Sequence, residues 1–259
     1  MNRIDFCAFD GRVKGYIHED HGELVAHKVR PAVVVCSGGA YRFVSPREGD
    51  PPALAFFARG YDVFVLTYSV KENAKEYRPL KELAETFRII RENSAAWRID
   101  PDRIAVMGFS AGGHLAASLG VLYDREELGL PGNCRPDAMI LGYPVISMYD
   151  HFHKESMEWV TGGDESVRER MSLERQAGPQ VPPAFIWHTM EDTSVPMENT
   201  MLFVSALRAA NVSVEYHLFA HGKHGQATCN REAEAVNTAN AKWLELCMTW
   251  LDELFCFEP

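Results

Sequence analysis

Short apolar runs rich in β-branched residues alternate along this chain with longer segments whose apolar residues recur every three or four positions. The runs at residues 32–36, 63–67, 104–107, 138–141 and 184–188 carry almost no charge. Strands apolar on both faces must be covered on both faces, as in a mostly parallel sheet between helical layers. A last run, 212–219, alternates Val212, Val214, Tyr216 and Leu218 against polar partners, which predicts an edge strand with one wetter face.

Helical spacing fills the gaps. Residues 51–59 predict a helix stopped by Gly60 as a left-handed C-cap, and Pro79 opens a second that runs to about 96. Further helices are predicted at about 112–123, 197–210 and 231–255, the last with Trp243, Leu244, Cys247, Trp250, Leu251 and Leu254 on its docking face. Near the start, apolar pieces at 4–9 and 13–17 flank Asp10-Gly11, a hairpin turn. No linker, repeat or low-complexity tract divides the chain. The expectation is one α/β domain over residues 1–259, a three-layer α/β/α sandwich.

Composition changes this picture little. An apolar share of 46% over 259 residues is enough for a full core. A net charge of −10 argues against nucleic acid or an anionic membrane surface as the main partner. No stretch approaches the roughly 18 apolar residues needed to span a bilayer. The opening Met1-Asn2-Arg3-Ile4-Asp5-Phe6 lacks the apolar run of a secretory signal, and the six cysteines are scattered singly. Reduced core thiols and a cytoplasmic location are expected.

The chemistry starts at Gly108-Phe109-Ser110-Ala111-Gly112. Chance places a Gly-x-Ser-x-Gly match in about one such chain in ten. Here a strand precedes it and His114-Leu115-Ala116-Ala117 opens a helix, so the serine occupies a strand-to-helix turn. Glycines at both ends allow a turn tight enough to expose the hydroxyl, and the helix aims its N-terminal amides at the reacting centre.

A serine nucleophile needs a base, and the base needs an orienting acid. The predicted strand at 184–188 runs into Thr189-Met190-Glu191-Asp192-Thr193-Ser194-Val195-Pro196. Asp192 is preferred to Glu191 because Val195-Pro196 beside it starts the next helix. The last strand runs into Ala220-His221-Gly222-Lys223-His224-Gly225, where spacing alone leaves His221 and His224 both open as the base. An early glycine turn, Ser37-Gly38-Gly39-Ala40-Tyr41, is placed to supply backbone donors to an oxyanion.

These four segments, in this order, resemble the α/β-hydrolase-fold serine esterases, and among them the bacterial acetyl-esterase and xylan-esterase-like group. The resemblance runs from about Val33 to the last helix. It implies Ser110, Asp192 and His224 as the triad, His224 being the histidine directly followed by glycine at the loop's end. It implies oxyanion donors from the amides of Gly39 and Ala111, with Ala40. The chain departs from relatives at Ser37 and Ala40, where they carry glycine or His-Gly-Gly-Gly, and at His221, where they commonly carry proline.

The expected activity is carboxylic-ester hydrolysis through an acyl-enzyme, on small acyl groups, acetyl above all. Small-molecule esters, acetylated sugars included, are the expected partners, and a homodimer is left open. The alternatives are a peptidase or amidase of the same fold and a catalytically silent binding protein. Residues 146–180 are too long for a simple connection. Either they overhang the site, with Tyr149 and Phe152 facing Tyr41 across an acyl or alcohol pocket, or they form a plain helical crossover. His151-Phe152-His153 and His18-Glu19-Asp20-His21 lack the i, i+4 spacing of a zinc helix, so no metal is expected. No Walker or Rossmann fingerprint is present, and no cofactor is inferred.

Overall fold

Phe9 and Asp10 turn the chain between β1 (Asn2–Ala8) and β2 (Gly11–Ile17), the antiparallel hairpin that the N-terminal pattern predicts. This computed structural model describes residues 1–20, 22 and 28–259. His21, one of the residues weighed for a metal, lies outside them. Six more strands follow: β3 (Arg30–Cys36), β4 (Asp62–Thr67), β5 (Ile99–Phe109), β6 (Ala138–Gly142), β7 (Ala184–Thr189) and β8 (Val214–Phe219). They form one sheet in the order β1-β2-β4-β3-β5-β6-β7-β8, parallel from β4 to β8. The edge position expected for the last strand is occupied by β8.

The fully apolar runs explain the layering. In β3, Val34 and Cys36 point to one core and Val33 and Val35 to the other. Each fully buried valine contributes roughly 1.5–3 kcal/mol by leaving water. The helices are α1 (Asp50–Ala58), α2 (Arg78–Glu92), α3 (Ser94–Trp97), α4 (Ala111–Leu122), α5 (Lys154–Thr161), α6 (Glu165–Arg170), α7 (Glu198–Ala209) and α8 (Lys242–Phe255). Leu83, Phe87, Leu115, Leu119, Phe203 and Leu207 bring α2, α4 and α7 onto one face. Phe56, Trp243 and Leu251 bring α1 and α8 onto the other. The three-layer α/β/α sandwich is the observed architecture.

Two expected helix bounds are corrected. The last helix begins at Lys242 rather than near 231, because asparagines hold residues 230–241 in turns. Asn237 Oδ1 accepts the Asn240 N–H at 3.1 Å, and Asn240 Nδ2 donates to the His221 carbonyl at 2.8 Å. Such side-chain bonds compete with helix propagation. The second helix stops at Glu92, where Asn93 Nδ2 donates back to the Ile89 carbonyl. The segment 146–180 is a crossover built on α5 and α6, with Met148, Met171 and Leu173 buried in the core.

Gly60, at φ +106°, has the backbone that its place after α1 demands. All six cysteines are free thiols, with Cys7 and Cys256 exposed. Among the described residues no helix is long and apolar enough to cross a membrane.

Candidate active site

β5 ends at Phe109 and α4 starts at Ala111, so Ser110 alone makes the turn between them. Its backbone sits at φ 54°, ψ −120°, a conformation costing of order 1–3 kcal/mol for a residue with a Cβ. The surroundings hold it there. Ser110 N–H donates to the Gly142 carbonyl at 3.0 Å, while its own carbonyl accepts from His114 N at 3.0 Å and Val145 N at 3.1 Å. The two glycines are steric requirements: a Cβ on Gly108 would meet the Gly112 carbonyl oxygen at 2.1 Å, and one on Gly112 would meet the Cys36 oxygen at 2.2 Å. The side chain emerges only 7% exposed, at the C-terminal end of the sheet.

The loops after β7 and β8 converge on it. His224 Nε2 lies 2.8 Å from Ser110 Oγ, and His224 Nδ1 lies 2.6 Å from Asp192 Oδ2. With a carboxylate on Nδ1, that nitrogen carries the proton and Nε2 presents its lone pair to the serine hydroxyl. Asp192 is 6% exposed, and its Oδ1 accepts the backbone N–H groups of Ser194 (2.9 Å) and Val195 (3.0 Å). Burial pushes this carboxyl up. Hydrogen bonds from His188, His224 and the Val195 amide outweigh it and hold Asp192 well below the usual carboxylate range.

His221 takes a different partner. Its Nδ1 lies 2.8 Å from Glu191 Oε1 on a side chain 83% exposed. The structure therefore brings His224, and not His221, to Ser110. The Tyr143 ring stands edge-on against the His224 imidazole, with centroids 4.9 Å apart.

Across the cleft runs the glycine turn after β3. Gly39 sits at φ +127°, where a Cβ would collide with the Phe43 carbonyl oxygen at 2.1 Å, so only glycine fits. The amides of Gly39 and Ala111 have no hydrogen-bond partner among the described residues. Both belong to elements that border Ser110, and Gly39 and Ala40 line the cleft directly. The cleft, of about 330 Å³ and open to solvent, is lined also by Arg42, Phe43, Glu48, His153, Glu155 and Ser194.

The pocket residues expected from the sequence lie elsewhere. Tyr41, with φ 58°, turns its ring under the loop, where it is fully buried and its hydroxyl lies 2.9 Å from His114 Nδ1. Tyr149 stacks between Arg168 and Arg175, and its hydroxyl donates to Glu165. Phe152 lies near Arg168 instead of the cleft. The crossover does reach the site, through His153 and Glu155. His153 caps α5 by accepting the Ser156 N–H at 3.2 Å, which fixes its ring at the cleft wall. Sequence reading missed both, as well as Glu48, because nothing local distinguishes them from surface polar residues. Among the described residues no cluster of His, Cys, Asp and Glu is arranged to hold a metal.

Residues 23–207 match the BD-FAE family model, and residues 170–255 match that of the dienelactone hydrolase family. The chain belongs to the BD-FAE family. As a BD-FAE member it has the fold of the α/β-hydrolase esterases. It is 34% identical over 226 residues to endo-1,4-beta-xylanase B of Butyrivibrio fibrisolvens, covering 84% of this chain and 35% of that protein. It is 30% identical to the acetylxylan esterase of Xylanibacter ruminicola, covering 75% of this chain and 40% of the relative. The chain thus spans between a third and a half of the length of these two curated relatives.

Solved structures match it along nearly their full length. The acetyl ester-xyloside bifunctional hydrolase of Caldicellulosiruptor lactoaceticus superposes with a TM-score of 0.85 at 32% identity, covering 96% of this chain and 90% of that one. The carboxylesterase Cest-2923 of Lactobacillus plantarum gives a TM-score of 0.88 at 27% identity, with complete coverage of both chains.

Proposed function

We propose that this BD-FAE chain is a single-domain carboxylic-ester hydrolase that removes small acyl groups, acetyl first among them, from small or carbohydrate esters. The observation that carries this is the unbroken hydrogen-bonded chain from Ser110 through His224 to Asp192. In the cycle, Ser110 Oγ attacks the ester carbonyl while His224 Nε2 takes its proton. The tetrahedral oxyanion is held by the Gly39 and Ala111 amides, with Ala40 beside them, each donor worth ~10²–10³ in turnover. His224 returns the proton to the leaving alcohol, and the acyl group stays on Ser110. Water, deprotonated by His224, then releases the carboxylic acid and regenerates the serine.

The acyl preference rests on the cleft and on the relatives. A space of about 330 Å³ bordered by polar side chains suits a short acyl group on a polar alcohol. Two relatives carry acetylxylan esterase and acetyl ester-xyloside hydrolase in their names. The test is hydrolysis of acetyl, butyryl and feruloyl esters alongside an aminoacyl anilide, with a fluorophosphonate to label the nucleophile. The expected result is acetyl ester turnover, labelling of wild-type protein, and a loss of ~10⁴-fold or more in folded Ser110→Ala. Faster cleavage of the anilide than of any ester would overturn the reading.

A further inference from the structure

Glu48 closes the short turn Pro46–Glu48, is 3% exposed and borders the cleft that holds Ser110 and His224. Both of its oxygens are acceptors. Oε2 takes the Gly38 N–H at 2.9 Å, and Oε1 takes the Tyr143 hydroxyl at 2.8 Å. Tyr143 Oη in turn accepts the Ala227 N–H at 2.8 Å, three residues beyond His224. A Cβ on Gly38 would lie 2.6 Å from Glu48 Oε2 and 2.9 Å from Ser110 Cβ, so only the width of a glycine separates the carboxyl group from the serine. No basic side chain lies within ion-pair distance of Glu48 among the described residues.

An acidic group in that place is unfavourable on two counts. Burying it costs desolvation, and any negative charge there opposes the oxyanion that ester cleavage develops nearby. A geometric role offsets that cost. Gly38 is held at both ends by one short segment: its N–H by Glu48, and its carbonyl by the Ser45 N–H at 2.9 Å. The Gly38 carbonyl and the Gly39 N–H belong to one planar trans peptide and point in opposite directions. Fixing the carbonyl on Ser45 therefore aims the Gly39 amide away from that segment, and Glu48 fixes the peptide before it. Through Tyr143, the same side chain also holds the loop that carries His224.

We infer that Glu48 is a positioning residue, which ties the oxyanion loop to the histidine loop and, by fixing the Ser37–Gly38 peptide, steadies the Gly39 amide that Ser45 aims. The inference rests on the ester-hydrolase reading above. Gln at this position keeps one acceptor for Gly38 but turns an NH₂ towards Tyr143 Oη, where Ala227 already donates. Ala keeps neither contact.

The test is steady-state hydrolysis of p-nitrophenyl acetate by wild type, Glu48→Gln, Glu48→Ala and Tyr143→Phe, with fluorophosphonate labelling rates measured in parallel. An oxyanion defect lowers kcat and spares KM. The expected kcat losses are ~10-fold for Glu48→Gln and ~100-fold for Glu48→Ala, with KM within about threefold and labelling slowed in the same ratio. Tyr143→Phe, which keeps the ring against His224, is expected to lose less than Glu48→Ala. If Glu48→Ala does not fold, the other two variants carry the test. A folded Glu48→Gln with kcat within about twofold of wild type overturns the inference, as does a change confined to KM. Wild-type protein inert to esters and unlabelled at Ser110 would overturn the hydrolase reading and this inference with it.

Discussion

His188 Nε2 stands 3.3 Å from Asp192 Oδ2, the same oxygen that accepts His224 Nδ1 at 2.6 Å. One carboxylate oxygen therefore receives two imidazoles. His188 is fully buried; its Nδ1 accepts the Thr200 hydroxyl at 2.6 Å, which leaves Nε2–H for Asp192 and for the Val195 carbonyl at 3.0 Å. Of Ser110 and Asp192, His188 contacts only the acid, whereas His224 also reaches the serine.

Replacing that buried donor should weaken the site without removing any proposed member of the triad. His188→Phe keeps the volume but strands Thr200 and the Val195 carbonyl, at about 1–3 kcal/mol for each unpaired group. It also takes away one of the bonds that hold Asp192 low. A depressed carboxyl stabilises the fold above its unfolded value and loses that contribution as pH falls through its folded value. With the depression reduced, acid unfolding of His188→Phe should begin at a higher pH than in wild type, and Tm at neutral pH should drop by several degrees. Superimposable acid-unfolding curves would show that His188 does not act on Asp192.

Sequence spacing leaves His221 and His224 equivalent, and the geometry separates them. His224→Ala breaks the contact with Ser110 and should cost ~10³-fold or more in kcat/KM. His221→Ala removes only an exposed pair with Glu191, screened by solvent. It should leave turnover within a few-fold. Comparable losses in the two folded variants would mean that His221 also takes part in proton transfer.

The elements that proved legible share one physical property: their determinants act over a few residues. The valine runs specify strands buried on both faces, and Gly108 is demanded by contacts with Gly112 within one turn, although Gly112 answers to the distant Cys36 and Ser37 carbonyls. Asp192 could be placed because its loop follows its strand directly, and for the same reason the histidine could be narrowed to His221 or His224, between which only the family resemblance chose. Glu48 could not be placed, since Pro46-Arg47-Glu48 reads as an exposed turn until the sheet brings in Tyr143, 95 residues away. Tyr41 misled for a related reason. Its left-handed backbone, unfavourable for an aromatic residue, turns under the loop a ring expected to face the pocket. The 231–241 segment has helical composition, and its asparagines, tied to the histidine loop, override it.

The cleft wall gives a third test. Arg42, from the glycine turn after β3, pairs with Glu155, from the crossover, at 3.3 Å, and both line the cleft. Glu155→Ala and Arg42→Ala should shift the ratio of acetyl to butyryl ester turnover by several-fold. Tyr149→Ala and Phe152→Ala, whose rings are taken up by Arg168 and Arg175, should leave that ratio unchanged. The opposite pattern in kcat/KM would restore the aromatic pocket expected from the sequence.

His114 makes the acid sensitivity of the whole assembly measurable. It is fully buried on α4, with Nδ1 accepting the Tyr41 hydroxyl and Nε2 donating to the Met171 carbonyl, each at 2.9 Å. It thereby joins α4 to the glycine turn after β3 and to the crossover. Burial lowers its pKa from 6.5 to about 4, against the smaller opposing effect of the Met171 bond. Between those two values the unfolded chain binds a proton that the folded one refuses. Stability is therefore complete above about pH 6.5 and falls as pH drops towards 4, by on the order of 3 kcal/mol from this group. His153, also depressed mainly by burial, adds a loss of the same sign, whereas Asp192 acts only below the ordinary carboxylate range. His114→Gln cannot titrate and cannot reach both partners, so it should be less stable than wild type at pH 7.5. Its unfolding free energy, taken from urea titrations at pH 7.5, 6.5, 5.5 and 4.5, should nevertheless decline less steeply. Parallel slopes for the two proteins would mean that the His114 site admits the proton and that the acid loss originates elsewhere.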